Sequence, residues 1–149
     1  MKNTIIADLF QQTNQDYVEY EGKMVFRVDR VNVPKKGKIK IIWEKYNNSR
    51  EQIIQLYDHK GLSIDGETSK LFNIWHVKNK NEVVLDYYSK SGTVIVNNAW
   101  EYDGEVNSMI GSAGMIFEDI PNGRRYRCND VYPDVDFEDL VFSLYWENP

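Results

Sequence analysis

Lys38-Ile39-Lys40-Ile41-Ile42-Trp43 sets charged against apolar side chains with a period of two. In an extended strand successive side chains point to opposite faces. Ile39, Ile41 and Trp43 then share one face, and Lys38, Lys40 and Ile42 share the other. The same period recurs on either side of this run. Upstream, Met24, Phe26 and Val28 alternate with Val25, Arg27 and Asp29. Downstream, Ile53, Gln55 and Tyr57 interleave with Ile54 and Leu56, and the runs 83–88 and 93–100 are rich in β-branched and aromatic residues, which suit a pleated surface. Turn chemistry separates the runs at Asn47-Asn48-Ser49, Asp65-Gly66, Ser91-Gly92, Asp103-Gly104 and Asn122-Gly123. Asp103-Gly104 and Asn122-Gly123 are the best hairpin candidates, because apolar strands flank each. Helical spacing occurs once, at Ile5, Ile6, Leu9 and Phe10, and predicts one short amino-terminal helix. No long helical pattern alternates with the strands, so parallel βαβ units are not expected. The expected fold is all-β: an antiparallel β-sandwich, jelly-roll-like or similar, in one domain spanning 1–149.

Composition narrows the function classes. The chain has 149 residues, and a compact fold of that length buries about two-thirds of its unfolded surface, enough for one core without disulfides. Cys128 is the only cysteine, so neither an intrachain disulfide nor a thiolate zinc cluster can form. Its phase with Tyr126 predicts a buried thiol. The opening residues have too short an apolar run for a signal peptide, and no segment has the length of a membrane span, so the expectation is a cytoplasmic protein without membrane insertion. The formal charge of −5 gives no global cationic field for nucleic acid. The clusters Lys35-Lys36-Gly37-Lys38 and Arg124-Arg125-Tyr126-Arg127 are expected to be solvated strand ends.

The strongest candidate site lies near the carboxyl end. Asn129-Asp130-Val131-Tyr132-Pro133-Asp134-Val135-Asp136-Phe137-Glu138-Asp139-Leu140 carries five carboxylates in ten residues, with no Lys or Arg among them. Crowded carboxylates repel one another and call for donors, a basic partner or a cation. Calcium takes roughly 6 to 8 oxygens from carboxylates, carbonyls and amides. Asp130, Asp134, Asp136 and Asp139, with Asn129, could supply them, although the spacing is not that of an EF-hand loop. The competing reading is structural. Arg124, Arg125 and Arg127 would pair with Asp134 and Asp136, while Asp139 caps backbone donors at the start of the last strand.

Asp134-Val135-Asp136-Phe137-Glu138-Asp139-Leu140-Val141-Phe142 resembles the Asp-x-Asp-Phe-x-Asp-Leu-Val ending of certain bacterial β-sandwich domains. These occur near the carboxyl ends of secreted and surface-adhesin proteins, and several are associated with calcium. The resemblance covers about ten of the 149 residues. It implies a sandwich fold and makes Asp134, Asp136 and Asp139 the first ligands.

A second candidate is Asn97-Asn98-Ala99-Trp100-Glu101-Tyr102-Asp103-Gly104-Glu105, which mixes amides, carboxylates and rings as a sugar-binding surface does. Trp100, Asn98, Asp103 and the more isolated Trp75 are its ligand-contact candidates. The alternative is a plain hairpin with Trp100 packed inward, as expected also for Trp43 and Trp146. Enzyme signatures are poor: His59 and His76 are the only histidines, and there is no Gly-x-Ser-x-Gly elbow. Gly111-Ser112-Ala113-Gly114 precedes a strand, so it reads as a bulge or close backbone approach rather than a phosphate cradle. The expected function is a non-enzymatic bacterial binding module, calcium-dependent if the acidic loop holds a cation, for a glycan or protein. The alternative is a small acidic protein that presents carboxylates to one basic partner, as an immunity or inhibitor protein does. An enzyme is third.

Overall fold

The computed structural model describes residues 6–46, 50–131 and 135–148. They form one helical turn, α1 (Ile6–Phe10), and strands β1 (Tyr17–Tyr20), β2 (Lys23–Phe26), β3 (Asp29–Asn32), β4 (Lys36–Tyr46), β5 (Glu51–Ile64) and β6 (Glu67–Trp75). These are followed by β7 (Glu82–Ser89), β8 (Thr93–Tyr102), β9 (Glu105–Asn107), β10 (Gly114–Ile120), β11 (Gly123–Asn129) and β12 (Leu140–Glu147). Every pairing between these strands is antiparallel, so the fold is all-β. The run 24–29 divides into two strands, because Arg27 and Val28 leave β2 before β3 begins. Among the described residues no helix is long and apolar enough to cross a membrane.

The strands follow the order β1-β2-β10-β11-β12-β4-β7-β5-β8-β3, with β6 paired to β5 and β9 to β8. This path doubles back at β5. Residues 51–57 of β5 pair with β8, whereas Leu62, Ser63 and Ile64 pair with β7, and β6 accompanies both halves. The register shifts between Tyr57 and Leu62, and Gly61 there has a φ of 131°, open to glycine and strained for any other residue. The bend lets one strand belong to both layers of a sandwich.

Ile39, Ile41 and Trp43 of β4 meet Tyr126 and Cys128 of β11 and Leu140, Phe142 and Leu144 of β12. Across the core lie Val31 of β3, Ile54 and Leu56 of β5, and Val94 and Val96 of β8. The period-two pattern of 38–43 is thus the core face of a central strand, with Lys38 and Lys40 outside. Tyr126 stacks on Phe142 with centroids 4.9 Å apart. Burial, then the nearby Asp139, push the Cys128 thiol well above its usual range, so it packs as an inert core group. A smaller cluster joins Ile6 and Phe10 of α1 to Val25 and Phe137.

The turns follow their chemistry. Asp103-Gly104 and Asp65-Gly66 have positive φ at both residues, as two-residue hairpins of type I′ require, and Glu21-Gly22 adds a third. In the β10–β11 hairpin the loop residues are Pro121-Asn122, with Asn122 at φ 61°, which makes a type II turn. Gly123 is already in the strand. A Cβ there would stand 2.1 Å from the Leu144 carbonyl oxygen, so close strand approach explains the glycine.

Candidate functional site

The acidic stretch binds its own backbone. Asp139 Oδ2 accepts from the Asp130 amide at 2.9 Å, Asp136 Oδ1 from the Glu138 amide at 3.0 Å, and Asn129 Oδ1 from the Phe137 amide at 2.6 Å. Asp130 is fully buried; its Oδ2 lies 3.4 Å from Gln52 Nε2 and 3.8 Å from the Arg50 guanidinium. Asp134 lies outside the described residues. Among the described residues no three or more carboxylate, histidine or cysteine groups stand together as a metal site would need. Among the described residues the arginines of β11 have other partners than Asp136: Arg124 binds Asp29 and Asp119, Arg125 binds Glu44 and Glu118, and of the three only Arg127 reaches the described part of the stretch, at 3.7 Å from Glu138. They sit along a strand in ion pairs and are not solvated ends.

The two segments singled out in the sequence meet at one end of the sandwich. Asn98 Nδ2 donates to the Asn129 carbonyl at 2.8 Å, and Trp100 is the register partner of Gln52 beside Asp130. Trp100 is 1 % exposed and Asn98 is buried, so neither presents a polar or aromatic surface to a ligand. Asp103 occupies the β8–β9 turn, next to Tyr102, whose ring lies 5.4 Å beneath the Arg50 guanidinium. A cavity of about 490 Å³ opens here between Tyr46, Arg50, Gln52, His76 and Lys78. At its edge Glu51 faces Glu101, and burial, then the Glu51 carboxylate, push Glu101 up.

Ligand chemistry also lies on the face shared by β6, β5 and β8, exposed along β6 at Leu71, Asn73 and Trp75 and buried at Ile53, Gln55, Ile95, Asn97 and Ala99 of β5 and β8. Register places Leu71, Tyr57 and Ile95 in one row, Asn73, Gln55 and Asn97 in the next, and Trp75, Ile53 and Ala99 in the third. The middle row is bonded end to end. Asn97 Nδ2 donates to Gln55 Oε1 at 2.8 Å, and Gln55 Nε2 donates to Asn73 Oδ1 at 2.8 Å. All three amides therefore point the same way across the sheet and polarise one another. Asn73 at the outer end is exposed, while Asn97 is buried with its Oδ1 lacking a hydrogen-bond partner. Rows of apolar and aromatic side chains flank the amides. Leu71 is 44 % and Trp75 37 % exposed, large values for such side chains.

A cavity of about 350 Å³ sits on this face, lined by Gln55, Tyr57, His59, Leu71, Asn97 and Met109 among others. Its wall is fixed by Asp58, which is buried where β5 changes layers. The carboxylate accepts from the Ser89 hydroxyl at 2.7 Å, the Ser91 amide at 3.0 Å and the Lys60 amide at 2.9 Å. Burial alone would raise its pKa; these donors outweigh burial and hold it down at about 2. Burial keeps the neighbouring Tyr57 phenol above its ordinary range, so its hydroxyl stays protonated at neutral pH.

Of the residues singled out from sequence, Trp75 lies on this face; Asn97, from the second candidate segment, forms one end of the amide row. Gln55, Tyr57, Asn73 and Leu71 carry no motif, and only the pairing of β6 with β5 makes them neighbours. The available signal was an amide flanked two residues away by one ring and one aliphatic side chain, Ile53-Gln55-Tyr57 and Leu71-Asn73-Trp75, which is visible only once two strands are aligned.

No family model matches the sequence, and no curated protein matches it. Among solved structures, the C-terminal domain of BC2L-C lectin from Burkholderia cenocepacia is similar at 20 % identity and a TM-score of 0.47, over 80 % of this chain and 96 % of that one. A likeness of that degree assigns neither family nor ligand.

Proposed function

We propose that this protein is a non-catalytic binding module that takes a neutral, hydroxyl-rich ligand of the glycan class on the face shared by β5, β6 and β8. The observation that carries the reading is the bonded amide row Asn73–Gln55–Asn97, whose exposed end at Asn73 lies between the exposed Leu71, beside half-buried Tyr57, and the exposed Trp75. Sugar rings present an apolar face and an edge of hydroxyls, and this surface offers a complement to each. Side-chain amides both donate and accept, so they match hydroxyls without requiring charge on the ligand. Binding cavities combine apolar walls with a few convergent polar groups, as this one does.

Retention on a glycan array tests the reading, with Tyr57→Leu and Asn73→Ala as the informative variants. Tyr57→Leu keeps apolar volume and removes the ring and hydroxyl. Asn73→Ala removes the exposed end of the row. Each is expected to weaken binding at least tenfold, about 1.4 kcal/mol, with thermal unfolding measured alongside to show an intact fold. Wild-type protein that retains no glycan, or variants that bind as wild type does, would refute the assignment.

A further inference from the structure

We infer that the face binds a chain of linked sugar rings rather than a single sugar, with one ring over Tyr57 and another over Trp75. The inference rests on the glycan reading of this face and adds the length of its ligand. Tyr57 pairs with Leu71 in the row on one side of the amides, and Trp75 pairs with Ile53 in the row on the other. Leu71 and Trp75 are four residues apart in one strand, so the two ring rows stand about 13 Å apart. One pyranose cannot cover both. The cavity lies on the Tyr57 side, bounded by Leu71 and Met109, and Trp75 is not among its walls. Yet Trp75 is exposed on the same face, and the amides run between the two rows. A ligand that fills the cavity and continues along β6 passes over the exposed Asn73 before it reaches the indole. Burying an indole face against a second ring adds apolar contact that a single sugar cannot make.

The test uses β-1,4-linked glucose, β-1,4-linked N-acetylglucosamine and α-linked mannose, each from one ring to six, on an array beside the common glycan cores. Calorimetry follows with the soluble members of the best-retained series, for the wild type and Trp75→Ala. Trp75 is a surface residue at the end of an edge strand, so the substitution leaves the core intact, and an unfolding curve checks this. Affinity is expected to rise at least tenfold between one ring and three or four. Trp75→Ala should abolish that rise, leaving the one-ring and four-ring members of the series within twofold of each other in affinity. Binding that is independent of length, or a rise that survives Trp75→Ala, overturns the inference and leaves the glycan reading standing. Retention of no glycan at all overturns both.

Discussion

Asp29→Ala is expected to lower stability by about 3 to 4 kcal/mol. Asp29 opens β3 and is buried, and its carboxylate joins the two layers. Arg124 Nη1 donates to both carboxylate oxygens at 2.8 and 2.7 Å, and the Tyr126 hydroxyl donates to Oδ2 at 2.6 Å. Burial, then the Asp29 carboxylate, raise the Tyr126 phenol far above the usual range, so it is a permanent donor. Removing Asp29 leaves that hydroxyl without its acceptor in the core, and leaves Arg124 half-buried. An orphaned core hydroxyl costs roughly 1 to 3 kcal/mol and a broken buried ion pair about 3 to 5. The low end applies because the Arg124 side chain is 27 % exposed and keeps Asp119 at 2.8 Å. For a chain of this size the unfolding midpoint should fall by roughly 10 °C. Tyr126→Phe separates the contributions: in that background Asp29→Ala should cost about 1 kcal/mol less than in wild type. A loss below about 1 kcal/mol for Asp29→Ala alone would mean that Arg124 and Tyr126 find other partners at no cost.

The fold was largely legible because its core strands alternate cleanly. At 38–43 Lys38 and Lys40 alternate with Ile39, Ile41 and Trp43, so a one-residue slip would bury lysines, and only one face can turn inward. The helix at Ile6–Phe10 and the type I′ turn at Asp103-Gly104 follow from equally local rules. Layer assignment was less accessible. β5 reads as one long apolar strand, and nothing in Tyr57-Asp58-His59-Lys60-Gly61 states that its first half pairs with β8 and its second with β7. Gly61 marks the bend, and the structure shows what it permits.

The site was less legible than the fold, for a physical reason. Carboxylates crowded in sequence draw attention because their repulsion is local. Here Asp136 and Asp139, with the amide of Asn129, accept from backbone amides a few residues away, which is a local arrangement. The amide row is non-local instead. Gln55 and Asn73 are 18 residues apart, Gln55 and Asn97 are 42 apart, and each alone is an ordinary polar residue in a strand. The arginines of β11 show the same limit: Arg124 reaches Asp29, 95 residues away, a partner that no local reading of the sequence offers.

Asp58 makes stability depend on pH in a way that separates it from the other carboxylates. Its pKa moves from 3.8 to about 2 on folding, so the native state binds fewer protons than the unfolded chain as the solution is acidified. A group depressed in this way stabilises the fold fully above its unfolded pKa and loses that contribution as pH falls through the folded value. The window is therefore about pH 4 to 2, and the contribution above it is on the order of 2 kcal/mol. Urea midpoints measured from pH 6 down to 2 should fall for the wild type and fall by that much less for Asp58→Asn. At neutral pH Asp58→Asn should itself be less stable by about 2 kcal/mol, because an amide NH₂ replaces one acceptor oxygen among the Ser89, Ser91 and Lys60 donors. Parallel pH profiles for the two proteins would exclude the carboxylate as the cause. The same substitution reaches the candidate site, since Asp58 holds the turn that follows Tyr57 and carries His59 into the cavity wall. Ligand affinity of the wild type should therefore weaken within this acid window, before global unfolding, and Asp58→Asn should show the weaker affinity already at neutral pH.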